Sequence, residues 1–147
     1  IGEELAQVEA YLTIEQARYG EKLLIREAVQ EAAMQYLIPS LTIQPLVENA
    51  IKHGLQPKED GGEIILKVQE EADNVLITIS DNGVGMDLTK RHPLCQPQGE
   101  SIGLINVHER LCGQYGQGLE ISSQPGLGTT VTIRLPKRML DEVEEYA

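Results

Sequence analysis

Apolar side chains at Ile43, Leu46, Val47, Ala50 and Ile51 repeat with the i, i+3, i+4, i+7, i+8 spacing of an amphipathic helix, which predicts a helix over residues 43–54. On a wheel of about 100° per residue, Asn49 and His53 lie side by side at one edge of this stripe, with Lys52 next to them. An amide, a cation and an imidazole therefore flank one seam of a buried helix. Pro45 has no N–H to donate and is best tolerated in a first turn, so the regular helix is expected to begin near Thr42 or to kink at Pro45. Gly54 is the expected stop. Residues 2–19 show the same periodicity through Leu5, Val8, Leu12 and Tyr19, with a Glu-rich polar face and Gly20 as terminator. Residues 101–112 show it again through Ile102, Ile105, Val107 and Leu111.

The remaining apolar segments read as strands. They are residues 22–29, 64–69, 75–80, 119–123 and 129–135. Ala72-Asp73-Asn74 joins the second and third in an antiparallel hairpin, and Pro125-Gly126-Leu127-Gly128 turns between the last two. Residues 31–35 are ambiguous, and 55–62 form a surface loop by composition. Residues 88–100 lack periodicity, and an unstructured loop of that length is usually functional or mobile. The order helix, strand, helix, hairpin, helix, hairpin predicts an α/β two-layer sandwich, with a mixed, mostly antiparallel sheet and helices on one face.

With 147 residues, the chain can build one domain with a proper core. It has five Tyr but no Phe and no Trp, so that core must be aliphatic. A net charge of −11 argues against a nucleic-acid surface, which needs basic patches to neutralise phosphates. Cys95 and Cys112 form no CxxC and read as free thiols of a reducing cytosol. No apolar run approaches the ~20 residues needed to span a membrane, and no signal peptide is visible. The sequence opens without Met, in mid-pattern at Ile1, as a fragment of a longer protein would.

Three glycine clusters follow structured elements: Asp81-x-Gly83-x-Gly85 after a strand, Gly99 to Gly103 at a helix entry, and Gly126-x-Gly128-Thr129 in a turn. None is a Walker A loop or a Rossmann fingerprint. Glycines do let backbone N–H groups approach phosphates, and the helix start at 101–104 is a natural anion site. Asp81, at the end of an apolar strand, can accept a hydrogen bond from an exocyclic amine such as that of adenine; the plainer reading is a turn-forming Asx residue before Asn-Gly.

Taken in order, the Asn-x-x-Lys-His helix and the three clusters resemble the N box, G1 box, G2 box and GT turn of the GHKL ATPase/kinase superfamily. Within it, "QPLVENAIKHG", "DNGVGM", "IGLINVHERL" and "PGLGTTVTIRLP" are similar to the LytS-type sensor histidine kinases, over residues 10–136. The resemblance implies a Bergerat-type ATP-binding domain at 21–136. Residues 1–20 would end a helical dimerisation or linker segment, and 137–147 would be an acidic tail.

It further implies roles for particular residues. Asn49 would hold Mg²⁺ on the ATP phosphates, Lys52 would pair with a phosphate and His53 would line the site near a lid at 87–101. Asp81 would read the adenine amine. Gly83, Gly85 and Met86 would lie under the base, with Thr129 supporting Asp81 through water. Ser101, Ile102, Gly103 and Leu104 would open the helix that faces the phosphates. The reaction would be γ-phosphate transfer to a histidine on an upstream helix, of the same or a partner subunit in a homodimer, with a response regulator downstream. The whole protein would be anchored in the bacterial inner membrane with this domain in the cytoplasm.

Glu48, beside Asn49, is the candidate base, and with Lys52 forms the catalytic pair; a Glu48–Lys52 ion pair at i, i+4 is the competing reading. Ser101 stands where the family has a glycine, no Phe exists to form an F box, and Pro45 stands where some members carry an acid. None of His53, His92 and His108 has an acceptor setting, and His108 is expected on the surface of its helix. An anti-sigma-type serine kinase of the same superfamily and a nucleotide-holding pseudokinase are the alternatives.

Overall fold

In a computed structural model, the described residues are 1–39, 41–55, 61–89 and 102–137. Helix α1 (Gly2–Tyr19) leads through a 3₁₀ turn (Gly20–Lys22) into strand β1 (Leu23–Val29). The ambiguous residues form a second 3₁₀ turn (Glu31–Gln35). Helix α2 (Ile43–Asn49) follows, then β2 (Gly62–Glu70), β3 (Asn74–Asp81), α3 (Ile102–Tyr115), β4 (Glu120–Gln124) and β5 (Gly128–Pro136). The strands form one sheet in the order β1-β2-β3-β5-β4. β1 runs parallel to β2, and the other three pairs are antiparallel.

Alternation within the strands sorts the sheet into two faces. Ile64, Leu66 and Val68 of β2, Val75, Ile77 and Ile79 of β3, and Val131, Ile133 and Leu135 of β5 are all buried. The helices cover that face with Val8 and Leu12 of α1, Leu46 and Val47 of α2, and Leu104, Val107 and Leu111 of α3, in one continuous core. The core is aliphatic, as the absence of Phe and Trp requires. No helix among the described residues is long and apolar enough to cross a membrane.

Two features depart from the sequence pattern. The helical path of α2 does not stop at Gly54 but runs through a π turn (Ala50–Leu55), so the simple wheel no longer applies beyond Asn49. The polar face of α1 does not hold all its glutamates either: Glu4 and Glu15 are buried within the apolar stripe.

Glu4 has a reason to be there. The residue before α2, Thr42, has helical backbone angles and donates its hydroxyl to the Pro39 carbonyl at 2.6 Å, so it does not cap the helix. Glu4 Oε1 accepts the N–H groups of Ile43 and Gln44 instead, the latter at 3.2 Å. A carboxylate from α1 thus satisfies donors that α2 leaves unpaired and meets the positive end of its dipole. On the other side, Arg110 of α3 donates from Nη2 to the Leu41 carbonyl at 2.6 Å and to Thr42 Oγ1 at 3.3 Å. Leu41 has a φ of 58°, a left-handed conformation that costs a β-carbon-bearing residue about 1–2 kcal/mol, and Arg110 fastens its carbonyl there.

Glu4→Ala is expected to destabilise the chain by about 1–3 kcal/mol, the usual cost of orphaned buried donors, with Glu4→Gln recovering part of it. Chemical denaturation measures this; a loss within about 0.5 kcal/mol, typical of surface substitutions, would show that the cap is not needed.

Candidate functional site

The cross-strand register creates a row of five side chains on the helix-covered face. Ile25 pairs with Ile64, Ile64 with Asp81, Asp81 with Thr129, and Thr129 with Ser123. The row is apolar on β1 and β2 and polar on β3, β5 and β4. It lies where the apolar columns of β3 and β5 end.

Asp81 Oδ1 accepts the Gly83 N–H at 2.9 Å, so the local turn role open to an Asx residue is realised. Asn82 Oδ1 accepts the Glu63 N–H at 2.7 Å and ties the same turn to β2. Gly83 is buried, and the backbone of 84–86 then lies against the β4–β5 hairpin. Gly126 N donates to Val84 O at 2.7 Å, and Met86 N donates to Ser123 Oγ at 2.9 Å. Gly85 has a φ of 66°, and a Cβ there would fall 1.9 Å from Gln124 O. Gly128 has a φ of 100°, and its Cβ would fall 2.0 Å from Asp81 O. The first and third glycine clusters are therefore one interlocked unit, closed by approaches that only glycine permits.

Helix α2 ends beside this unit. Leu55 packs on Gly62, where a Cβ would meet Leu55 Cδ2 at 2.4 Å and Asn82 Oδ1 at 2.5 Å. On the same helical segment, Glu48 and Asn49 are half-buried and Lys52 is exposed. Asn49 offers an amide oxygen suited to a hard cation, and Lys52 offers a mobile positive charge. The side chain of His53 and all of Ser101 lie outside the described residues, as do 90–100 of the expected lid; of Ile102 only the backbone is described. Gly103 is half-buried and Leu104 fully buried at the start of α3, which packs on α2.

Glu48 has partners of its own. Its Oε1 accepts a hydrogen bond from Gln44 Nε2 at 3.1 Å, and no ion pair joins it to Lys52 among the described residues. It also lies close enough to Tyr11 of α1 to matter: burial first, then the carboxylates of Glu15 and Glu48, push the Tyr11 phenol up to about 12. His108 is not a simple surface residue. It is half-buried, its Nδ1 accepts the Leu119 N–H at 3.0 Å, and Gly118 leaves room for the ring.

Sequence reasoning passed over Ser123, whose hydroxyl joins both glycine clusters. The available signal was its place in step with Ile121 on the inward face of a short strand. It also passed over Glu4, which lies one turn before Val8 on the buried stripe of α1.

The family described as histidine kinase-, DNA gyrase B- and HSP90-like ATPase matches residues 38–139. The chain is 41% identical to Sensor histidine kinase YpdA of Escherichia coli (strain K12) over 141 residues, covering 94% of this chain and 24% of that protein. It is 34% identical to Sensor protein LytS of Bacillus subtilis (strain 168) over an alignment of 155 residues, covering 100% of this chain and 26% of that protein. The chain therefore spans about a quarter of the length of these curated relatives. Among solved structures, the catalytic domain of histidine kinase ThkA superposes with a TM-score of 0.69 at 13% identity, over 92% of this chain and 95% of that domain. That likeness is one of fold.

The placement of Glu48 has a titration signature. Among the five tyrosines, Tyr11 is expected to ionise only as the pH nears about 12, and Glu48→Gln should lower it by a small part of the shift, since burial and then Glu15 are the larger causes. The unfolded chain loses this proton near 10.0, so Tyr11's contribution to stability is full below that pH and is lost as the pH rises towards 12. Ultraviolet titration, with Tyr11→Phe to identify the group, reads the shift; a Tyr11 curve unmoved by Glu48→Gln would show that the Glu48 carboxylate does not act on Tyr11.

Proposed function

The chain belongs to the histidine kinase-, DNA gyrase B- and HSP90-like ATPase family, and from that membership we propose that it is the ATP-binding catalytic domain of a two-component sensor histidine kinase. The reading rests on one observation: the Asp81–Thr129–Ser123 end of the sheet, with its interlocked glycine loop, lies beside the segment that carries Asn49 and Lys52.

Asp81 accepts the exocyclic amine of adenine, with Thr129 beside it. Gly83, Gly85 and Met86 form the floor under the base. Lys52 meets a phosphate as a point charge. On this reading the backbone N–H groups at the start of α3, from Ile102 on, face the phosphates, and the His53 side chain and Ser101, outside the described residues, would line the lid side and precede that helix. Mg²⁺ prefers few protein ligands supplemented by phosphates and waters, which suits a single amide oxygen from Asn49. Bound with ATP, the ion would neutralise phosphate charge. The γ-phosphoryl group passes to an acceptor imidazole on a helix of the same or the partner subunit. Such transfers rest on positioning and charge neutralisation, so the domain's task is to hold ATP in line with that nitrogen. Glu48, already hydrogen-bonded to Gln44, fits a structural role better than that of a base.

The partners on this reading are ATP, the acceptor helix in a homodimer, and a response regulator. The names of YpdA and LytS support the sensor-kinase reading, and a cytoplasmic placement of this domain in a membrane-anchored protein is part of the same proposal.

Asp81→Asn removes a charge-assisted acceptor and is expected to weaken ATP binding about 10- to 100-fold. Asn49→Asp is expected to weaken Mg²⁺-ATP binding with the fold intact. Titration of the purified chain with nucleotide tests both; unchanged affinity in both variants would mean that the site is elsewhere. In the full-length protein, labelled ATP should give acid-labile phosphohistidine. Label on serine alone, or bound ATP with no transfer, would overturn the kinase assignment.

A further inference from the structure

Two outliers meet in one hydrogen bond. Leu41 is the one non-glycine residue with a positive φ among the described residues, at 58°, and its side chain is 53% exposed, so burial does not hold it in that conformation. Arg110 of α3 is half-buried, its Nε is buried without a hydrogen-bond partner, and no carboxylate pairs with its guanidinium among the described residues. Both of its bonds start from Nη2, one to the Leu41 carbonyl at 2.6 Å and one to Thr42 Oγ1 at 3.3 Å. Packing alone gives no reason for this pair. A half-buried cation held on neutral acceptors leaves part of its desolvation uncompensated, and an apolar side chain would pack there at lower cost. Strained backbone and half-satisfied polar groups concentrate where a function needs them.

The bond ties the turn before α2 to the middle of α3. Elsewhere these helices meet in the aliphatic core, α2 through Leu46 and Val47, α3 through Leu104, Val107 and Leu111. Aliphatic contact is non-directional, whereas a charge-assisted hydrogen bond at a rigid turn fixes a point. On the reading proposed above, on which this inference rests, the phosphate site is split between the two helices. Asn49 and Lys52 ride on the α2 segment, and the N–H groups ride on the start of α3. We propose that Arg110 is a positioning residue for the triphosphate. Pinned to the Leu41–Thr42 turn, it sets α2 along α3 so that the Asn49 amide, the Lys52 charge and the α3 N–H groups converge on one triphosphate. α2 is seven residues long, a rise of about 10 Å, so a shift of the turn reaches Asn49 almost whole. The base end has ties of its own: Asn82 Oδ1 holds the Asp81 turn to β2, and Ser123 holds Met86 to β4.

The experiment measures dissociation constants of the chain for Mg²⁺-ATP by calorimetry and for adenosine by NMR titration, at a temperature where each variant is fully folded. Adenosine keeps the base and sugar and has no phosphate. Arg110→Ala should weaken Mg²⁺-ATP about tenfold, near the lower worth of a charged hydrogen bond, and leave adenosine within about twofold. Arg110→Lys keeps the charge and the stem without the planar fork, and its Mg²⁺-ATP affinity should fall between the two. In an Asn49→Ala background, adding Arg110→Ala should cost less Mg²⁺-ATP affinity than it does in the wild type, because the amide it places is gone. A merely structural Arg110 would weaken both ligands equally or neither, and either result overturns the inference. An equal loss with and without the Asn49 amide overturns it too. Should Arg110→Ala not fold cooperatively, Arg110→Lys carries the same expectation in smaller measure, with Mg²⁺-ATP weakened and adenosine unmoved. A wild-type chain that binds Mg²⁺-ATP no better than adenosine would refute the phosphate reading itself, before any variant is compared.

Discussion

The pairing of β3 with β5 is the constraint on which the site depends. Val75 faces Leu135, Ile77 faces Ile133 and Ile79 faces Val131, all buried beneath the helices. A slip of one residue would turn every one of these side chains to the opposite face. The apolar columns therefore fix the register, and the register sets Asp81 opposite Thr129 at the end of the same columns. Everything at that end follows: Gly128 fits only because it has no Cβ to meet Asp81 O, and β4 adds Ser123 beyond Thr129. The turn after Asp81 is then bound down by Gly126 and Ser123. Burial places the polar groups; hydrogen bonds only orient them.

The second wall, α2, is located differently. Its apolar stripe lies on the sheet, but its start is held from both sides by longer-range contacts. Glu4 of α1 accepts its first N–H groups, and Arg110 of α3 grips the turn before it. A helix whose own Thr42 points elsewhere is thus capped by its neighbours. Its far end, the π turn, is packed by Leu55 on Gly62. The Asn49–Lys52 edge consequently sits at a fixed place relative to the Asp81 turn, although the two are 32 residues apart in sequence counted from Asn49 to Asp81.

Much of the fold was legible because single-face burial leaves a periodic trace. The α1 pattern over 2–19 and the five strands match the elements observed to within one or two residues at most ends. The glycine clusters were legible as turns, and their order carried the family resemblance that the match over 38–139 supports. What periodicity could not give were the contacts that cross the chain. Glu4 and Glu15 look solvated by residue type, yet lie in the buried stripe, and Glu4 is explained only by α2 arriving beside it. The π turn depends on how α2 ends over β2 and β3, which no wheel represents. His108 looked exposed until the chain returned with Leu119 to donate to it. Ser123 is an ordinary strand serine until register sets it next to Thr129.

The central claim is that one end of this sheet holds the base while the adjoining edge of α2 holds the phosphates. A structure of the chain with a non-hydrolysable ATP analogue and Mg²⁺ tests that claim most directly. The account predicts the adenine amino group within hydrogen-bonding distance of Asp81, directly or through one water, with the base over Gly83–Met86, and Asn49 coordinating the ion on the phosphates. A nucleotide seated away from Asp81 and Thr129, or with its phosphates turned from Asn49 and Lys52, would contradict it.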